Sequence, residues 1–198
     1  MRPILAAAAL SAACRLALAV SPAGAYELLG ADWSYKPHPM GEPWQICTAG
    51  MPPGAAGVIR RAAAVWNYAR FRFTFRADGC SPDGPFGRPY GVDRIDFGAL
   101  PGRTLAQTNT FYIPSKGEIV ECHLRFNDRM PWYVGEGRVP AGRFDLFSAA
   151  LHEFGHCLGL LHSHARPTPV MAPTLGPGVA RRRLQPDDIA GERAIYGR

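Results

Sequence analysis

Residues 152–162 of this 198-residue chain read HEFGHCLGLLH. His152 and His156 are four positions apart, so a helix would project both imidazoles from one face, about one turn apart. His162 would lie too far along a continued helix, but Gly159 can take the left-handed conformation that ends a helix and turns the chain back. The spacing therefore predicts a zinc site of three histidine nitrogens whose fourth position is open to water, as a catalytic zinc site requires.

Glu153 follows the first of these histidines, and its carboxylate is expected to face the water at the metal. From there it can take the proton of the water and later pass it to a leaving amine. The surrounding residues are strongly apolar and predict a buried helix over 144–158, which would hold the ligands rigidly. A helix that carries histidines only by chance and a zinc site without catalysis are less favoured interpretations, and Glu153 argues against the second.

The N-terminus has the pattern of an export signal. Arg2 precedes a mostly apolar run over 4–20, and Ala-Gly-Ala at 23–25 fits a cleavage site that would make Tyr26 the first mature residue. Arg15 divides the apolar run into pieces too short to span a bilayer, so a membrane anchor is disfavoured. We therefore expect a secreted protein, extracellular or periplasmic, without stable membrane insertion after the signal is removed.

The composition is that of one globular domain, because 47% of the residues are hydrophobic and 19% are charged. The formal net charge is +6, but the densest basic run is only Arg181-Arg182-Arg183. We interpret this run as a solvated turn rather than a phosphate site, and we expect no nucleic-acid partner. The predicted divisions are a signal peptide, a proline-rich irregular arm and one catalytic domain, over 1–25, 26–43 and 44–198.

Periodicities outside the motif predict a mixed layout of helices and strands around one main sheet. An amphipathic helix is predicted over 55–69, where apolar residues recur at helical spacing. A last helix is predicted over 186–196, with proline and aspartate at its start and Gly197 after its end. Strands are predicted from alternating or short apolar runs over 44–48, 71–76, 94–97, 105–113 and 119–127.

Further segments support a family resemblance. VMAP at 170–173 follows the third histidine by a short loop, and the histidines, the glycine and this methionine turn together resemble the metzincin metallopeptidases. DLFSAAL at 145–151 and LQPDDIAG at 184–191 are most similar to the matrixins, the matrix-metalloproteinase-like group, in a compact bacterial form. The resemblance covers roughly 44–198 in element order and is specific from about residue 145 onward.

The resemblance implies a fold and an activity. The fold is an α+β, zincin-like catalytic domain: a twisted mixed five-stranded sheet with an antiparallel edge strand, an active-site helix, a methionine turn and a C-terminal helix. The activity is that of a zinc metalloendopeptidase with one catalytic Zn²⁺, in which zinc-bound water activated by Glu153 hydrolyses protein or peptide substrates. An extended substrate would pair with the edge strand, about 103–111. We expect a monomer.

The resemblance also implies roles for single residues. Met171 would form a hydrophobic floor beneath the zinc, and Asp187 and Asp188 would tie the last helix to the methionine turn. His123 stands where vertebrate matrixins have a structural-zinc ligand, but the rest of that loop is missing, so we interpret it as a packed or surface histidine. Calcium binding is compatible with the family and has no support in the sequence. The pocket for the residue after the cut would be lined by Ser163, Val170 and Pro173.

Four cysteines remain once Cys14 leaves with the signal: Cys47, Cys80, Cys122 and Cys157. An even number in an exported chain predicts two disulfides, for which the sequence alone allows three pairings. Family topology favours Cys47–Cys80 and Cys122–Cys157, with a buried free thiol at Cys157 as the alternative. The sequence departs from the vertebrate matrixin pattern between the predicted signal and the catalytic domain, where it shows no cysteine-switch segment. We therefore do not expect latency by that route.

A different class of function also fits a zinc site. The chain could be a non-catalytic module, stabilised by zinc, that binds peptides or the cell envelope. The intact Glu153 disfavours this alternative, since a purely structural zinc site needs no base beside it.

Overall fold

The computed structural model describes residues 25–33, 43–67, 71–76, 80, 86–89 and 91–197. The predicted signal peptide, apart from its last residue, lies outside the described residues, and so does the arm from residue 34 to 42. Within the described part of the chain, no helix is both long and apolar enough to cross a membrane.

Five strands form one mixed sheet in the order β2-β1-β3-β5-β4. β4 is antiparallel to β5 and occupies the edge, whereas the other neighbours are parallel. The sheet therefore has the mixed five-stranded form with an antiparallel edge strand that was predicted. The strands are β1 (Pro43–Ile46), β2 (Thr74–Phe75), β3 (Arg94–Gly98), β4 (Ala106–Ile113) and β5 (Glu118–Asn127).

Three helices accompany the sheet: α1 (Ala55–Val65), α2 (Leu146–Leu158) and α3 (Pro186–Tyr196). α1 connects the parallel strands β1 and β2, which need a crossover of this kind. A small separate ribbon pairs β6 (Trp132–Tyr133) with β7 (Phe144–Asp145), directly before α2.

An aromatic core fixes α2 against the sheet. The ring of Phe154 lies 4.6 Å from that of Phe73 and 5.7 Å from that of Trp44, measured between centroids. On the α1 side, the indole nitrogen of Trp66 donates a 2.7 Å hydrogen bond to the carbonyl of Leu151. Buried aromatic pairs contribute about 0.5–1.5 kcal/mol each beyond their area. The helix that carries two of the histidines is therefore held on two sides.

Both favoured disulfides are present. The Cα atoms of Cys47 and Cys80 are 4.8 Å apart, and those of Cys122 and Cys157 are 5.8 Å apart. The second bond joins β5 to α2 and so links the sheet to the histidine helix. Each closes a loop of more than thirty residues, for which restriction of the unfolded chain stabilises the fold by about 4 kcal/mol.

Several predicted element boundaries were wrong, and three of them are informative. The helix predicted over 144–158 begins at Leu146, because Asp145 is extended and caps it by accepting from the backbone nitrogen of Ser148. The helix predicted over 55–69 ends at Val65, where the buried Trp66 follows. The strand predicted over 71–76 is reduced to the two residues that pair with the short β1.

Candidate metal centre and active-site cleft

Three histidines converge beside the edge strand. One ring nitrogen from each of His152, His156 and His162 lies within 4.8 Å of the others. The first two come from α2, and the third follows a turn at Gly159, whose φ is 101°. A side chain at Gly159 would also collide with the carbonyl oxygen of Ala31. The glycine is therefore required both for its conformation and for the close approach of the N-terminal arm.

Hydrogen bonds to the backbone select the histidine tautomers. Nδ1 of His152 lies 2.8 Å from the carbonyl of Val170, and Nδ1 of His156 lies 2.8 Å from the carbonyl of Leu160. Because a carbonyl can only accept, each Nδ1 carries the proton and each Nε2 of the neutral ring presents a lone pair. The two Nε2 atoms face each other at 3.0 Å, an arrangement that a shared cation would stabilise.

This donor set fits zinc. A tetrahedral site with Zn–N bonds of about 2.0–2.1 Å separates its nitrogens by roughly 3.3–3.4 Å. The Nε2 atoms of His152 and His156 lie 3.0 Å apart, and a nitrogen of His162 lies within 4.8 Å of both. Burial lowers the pKa of both His152 and His156 to about 4, so both rings are neutral at pH 7, as metal binding requires. Burial also lowers the pKa of His162, although its side chain is the most exposed of the three.

Glu153 stands between the histidines and β4. Its side chain is only 6% exposed, and Oε2 accepts a 2.6 Å hydrogen bond from the hydroxyl of Thr108. Burial raises the pKa of Glu153, while the electrostatic interaction with His156 and the hydrogen bond from Thr108 act in the opposite direction. A buried carboxylate with a raised pKa in a cleft has the properties of a general base.

A cleft of about 790 Å³ contains this constellation. β4 forms one wall, α2 forms the floor, and the segment from Val170 to Leu175 forms much of the opposite wall. A cavity of this size and shape accommodates several residues of an extended chain.

The sequence model of the matrixin family matches residues 56–197. This chain belongs to the matrixin family. It is 37% identical over 142 residues to the hatching enzyme of Paracentrotus lividus, an alignment that covers 70% of this chain and 22% of that protein. It is 38% identical over 116 residues to matrix metalloproteinase-25 of Mus musculus, with 57% of this chain and 18% of that protein covered.

A plant protein shows the same likeness. Metalloendoproteinase 1 of Glycine max is 37% identical over 90 residues, which cover 43% of this chain and 27% of that protein. The chain thus spans between about a fifth and a quarter of the length of the relatives it matches. Matrixins are zinc metalloendopeptidases, and the histidine cluster of this matrixin is consistent with their catalytic zinc.

The methionine turn of this matrixin lies against α2. Met171 is buried, and its sulfur occupies the space that a side chain on Gly155 would need. The neighbouring Val170 orients His152 through its carbonyl, and Pro173 lines the cleft. The methionine turn therefore packs against the histidine helix, and its neighbours Val170 and Pro173 line the cleft.

Ser163 occupies a different place from the one expected of a substrate-binding residue. It is 1% exposed, and its hydroxyl donates a 2.6 Å hydrogen bond to Oδ2 of Asp187. Its backbone nitrogen donates to the carbonyl of Met171 at 2.9 Å. Ser163 therefore braces the loop behind the cleft wall instead of lining the wall itself.

The acidic pair at the start of α3 organises two segments. Asp188 accepts hydrogen bonds from the backbone nitrogens of Val170 and Met171 at 2.9 and 3.1 Å. Asp187 accepts from Ser163 and also from the backbone nitrogen of Tyr26 at 3.1 Å. The pair therefore ties α3 to the methionine turn, as the resemblance implies, and also to the N-terminal arm.

The basic run is not the solvated turn that was predicted. Arg182 forms a two-pronged ion pair with the fully buried Asp145, at 2.6 and 2.9 Å. Arg181 lines the cleft, and only Arg183 is exposed. The signal that could have indicated this was Asp145 itself, since an aspartate before an apolar helix needs a partner if it is buried. Thr108, which donates to Glu153, was also not predicted as a residue of the site.

His123 is packed and lies away from the cleft. Its ring is 1% exposed, and Nε2 lies 2.5 Å from Oε1 of Glu121 and 3.1 Å from the carbonyl of Val92. Of the two interpretations offered for this residue, the packed strand histidine is the one observed. Within the described residues, the three cleft histidines are the only cluster with metal-ligand spacing.

Proposed function

We propose that this chain is a secreted endopeptidase in which His152, His156 and His162 hold the catalytic zinc and Glu153 is the general base. The observation that carries the proposal is their convergence in one cleft beside an edge strand. When bound, the zinc polarises the scissile carbonyl and lowers the pKa of the attacking water.

The substrate is an extended segment of a protein or peptide that lies along β4. β4 pairs with β5 on one side only in the described sheet, so its other side can add a strand from outside. Main-chain hydrogen bonds to β4 would align the scissile bond over the histidines. The side chain after the cut would enter the space between α2 and the wall at Val170 and Pro173.

Glu153 moves the protons of the reaction. Its ionised carboxylate takes a proton from the attacking water and later gives that proton to the departing amine nitrogen. Thr108 keeps the carboxylate turned toward the cleft through its hydrogen bond to Oε2. Val170 and Leu160 keep the histidine rings in the tautomers that present Nε2.

Export and a monomeric state are part of the proposal. The signal-like N-terminus and two disulfides support a location outside the cytoplasm, in the medium or the periplasm. Neither a nucleic acid nor a membrane is needed as a partner.

The test is cleavage of casein and of a broad peptide library by the purified protein. We expect cleavage that phenanthroline abolishes and that added zinc restores. A protein that binds one zinc per chain and cuts nothing in the library would instead support the non-catalytic binding module. Cleavage that persists in a zinc-free sample would refute the proposed chemistry.

A further inference from the structure

We propose that Arg181 makes the pocket beside the metal centre selective for a glutamate side chain directly after the scissile bond. This inference rests on the proposed endopeptidase function and names the substrate class for it. It concerns a residue that the sequence had placed in a solvated basic turn.

The backbone holds Arg181 against the first turn of α2. Its backbone nitrogen donates a 2.7 Å hydrogen bond to the hydroxyl of Ser148. Its Nη1 donates at 2.6 Å to the carbonyl of Thr174, in the wall of the cleft. The guanidinium is therefore fixed along that wall, and both Ser148 and Thr174 line the same cleft.

Arg181 shares the cleft with apolar side chains. Ala149 of α2 and Val170 and Leu175 of the opposite wall line the same cleft. A long side chain could pass the apolar walls and reach the cation. Among the described residues that line the cleft, the acidic one is Glu153, whose carboxylate serves the reaction itself.

Arg181 forms no ion pair with a carboxylate among the described residues. Within the described residues, no carboxylate oxygen lies within 4.0 Å of its guanidinium, whereas Arg182 has Asp145. Asp188 acts on Arg181 from a greater distance and favours its charged form, while partial burial lowers its pKa. A guanidinium presents five donors in a planar fork that matches a carboxylate, and the carbonyl of Thr174 occupies one.

Arg181 shares the cleft with the metal centre, since Arg181 and His152 both line it. A second cation, Arg103, lines the same cleft. The cleft therefore carries two cationic side chains and suits an acidic peptide.

Glutamate fits this pocket better than the similarly sized side chains glutamine and leucine. Its two methylene groups match the apolar walls, and its carboxylate can form a forked, charge-assisted hydrogen bond with Arg181. Glutamine has the same shape without the charge, and leucine has the apolar body without the polar end. Comparing glutamate with glutamine therefore isolates the contribution of the Arg181 guanidinium to selectivity.

The experiment uses quenched fluorescent peptides that differ only in the residue after the cut. That residue is Glu, Gln, Leu or Lys, and mass spectrometry verifies the position of the cut. For the wild type we expect kcat/KM for Glu to exceed that for Gln by roughly tenfold. Arg181→Gln should bring this ratio to about one, and Arg181→Glu should shift the preference to Lys. The matched control is Arg183→Gln, which removes an exposed arginine two positions away and should keep the wild-type ratio.

A binding measurement separates this inference from the proposed function. Zinc-loaded Glu153→Gln protein is titrated into the same peptides, and binding is followed by fluorescence anisotropy. The Glu peptide should again bind more tightly than the Gln peptide, unless Arg181 is also replaced. A wild type that cuts nothing while this ranking holds would refute the peptidase and leave the pocket assignment standing. Equal binding and equal cleavage of the Glu and Gln peptides, or a ratio that survives Arg181→Gln, would overturn the inference.

Discussion

Thr108 on the edge strand donates a 2.6 Å hydrogen bond to Oε2 of Glu153 on the histidine helix. The bond joins the strand that would align the substrate to the carboxylate that would take the proton. Burial raises the pKa of Glu153, and this hydrogen bond stabilises its ionised form and lowers the pKa. The pKa of Glu153 therefore depends in part on the edge strand β4.

Replacing Thr108 by valine should move the acidic limb of the pH–rate profile to higher pH. Valine has nearly the same shape but no hydroxyl, so the ionised form of Glu153 loses a donor and its pKa rises. Because the base must be ionised, activity at pH 5–6 should fall more than activity at pH 8. The profile of kcat/KM measures this shift, and Thr168→Val, on an exposed loop, is the control. An unshifted limb would contradict the role given to Thr108.

Gly155→Ala should destabilise the protein and weaken zinc binding. The new methyl group would overlap the sulfur of Met171 and press on the indole of Trp66, and overpacking of this kind costs about 1–3 kcal/mol. Gly176→Ala is the matched control, since its methyl group would make only an ordinary 3.6 Å contact with Val179. Urea unfolding of both variants gives the comparison. Equal stability of the two would show that the methionine turn can shift freely.

Arg182→Gln should lower the free energy of unfolding by about 2–4 kcal/mol, because it leaves the buried carboxylate of Asp145 without its cation. Arg183→Gln removes the same charge from an exposed position and should change stability by less than about 0.5 kcal/mol. Thermal or chemical unfolding of the two variants at equal salt measures the difference. A loss shared by both variants would mean that net charge, and not the ion pair, is responsible.

The protein should bind one zinc ion per chain. His152→Ala removes a ligand and should abolish zinc binding, because the remaining two histidines cannot hold the ion tightly. His164→Ala, at an exposed position beyond the third ligand, should keep a full equivalent. Metal analysis after gel filtration measures both variants. Two equivalents in the wild type would point to a second site, and retained zinc in His152→Ala would contradict the assigned ligands.

Local sequence signals predicted the elements whose ends are set by local contacts. α3 spans 186–196 as predicted, because Pro186 occupies its first turn and Asp188 accepts a hydrogen bond from the backbone nitrogen of Gln185. The turn at Gly159 was also predicted, since a left-handed residue is needed between the helix and the third histidine. In these cases the decisive partners lie within a few positions of each other.

Long-range contacts account for what the sequence did not indicate. The partner of Arg182 is Asp145, 37 positions away, and no local pattern relates them. The hydroxyl of Ser163 turns away from the cleft because it donates a hydrogen bond to Asp187, 24 positions later. Thr108 looked like any polar residue of an alternating strand until the sheet placed it beside Glu153. The disulfide pairing came from family topology and not from spacing.

The most direct test of the catalytic assignment compares the wild type with Glu153→Gln at equal zinc content. The substitution keeps the shape of the side chain and removes the base, so kcat/KM for peptide cleavage should fall by at least about 10²-fold while one zinc per chain is retained. Glu136→Gln, at an exposed glutamate, should leave both quantities unchanged. A Glu153→Gln protein that binds zinc and cleaves peptides at the wild-type rate would contradict the account.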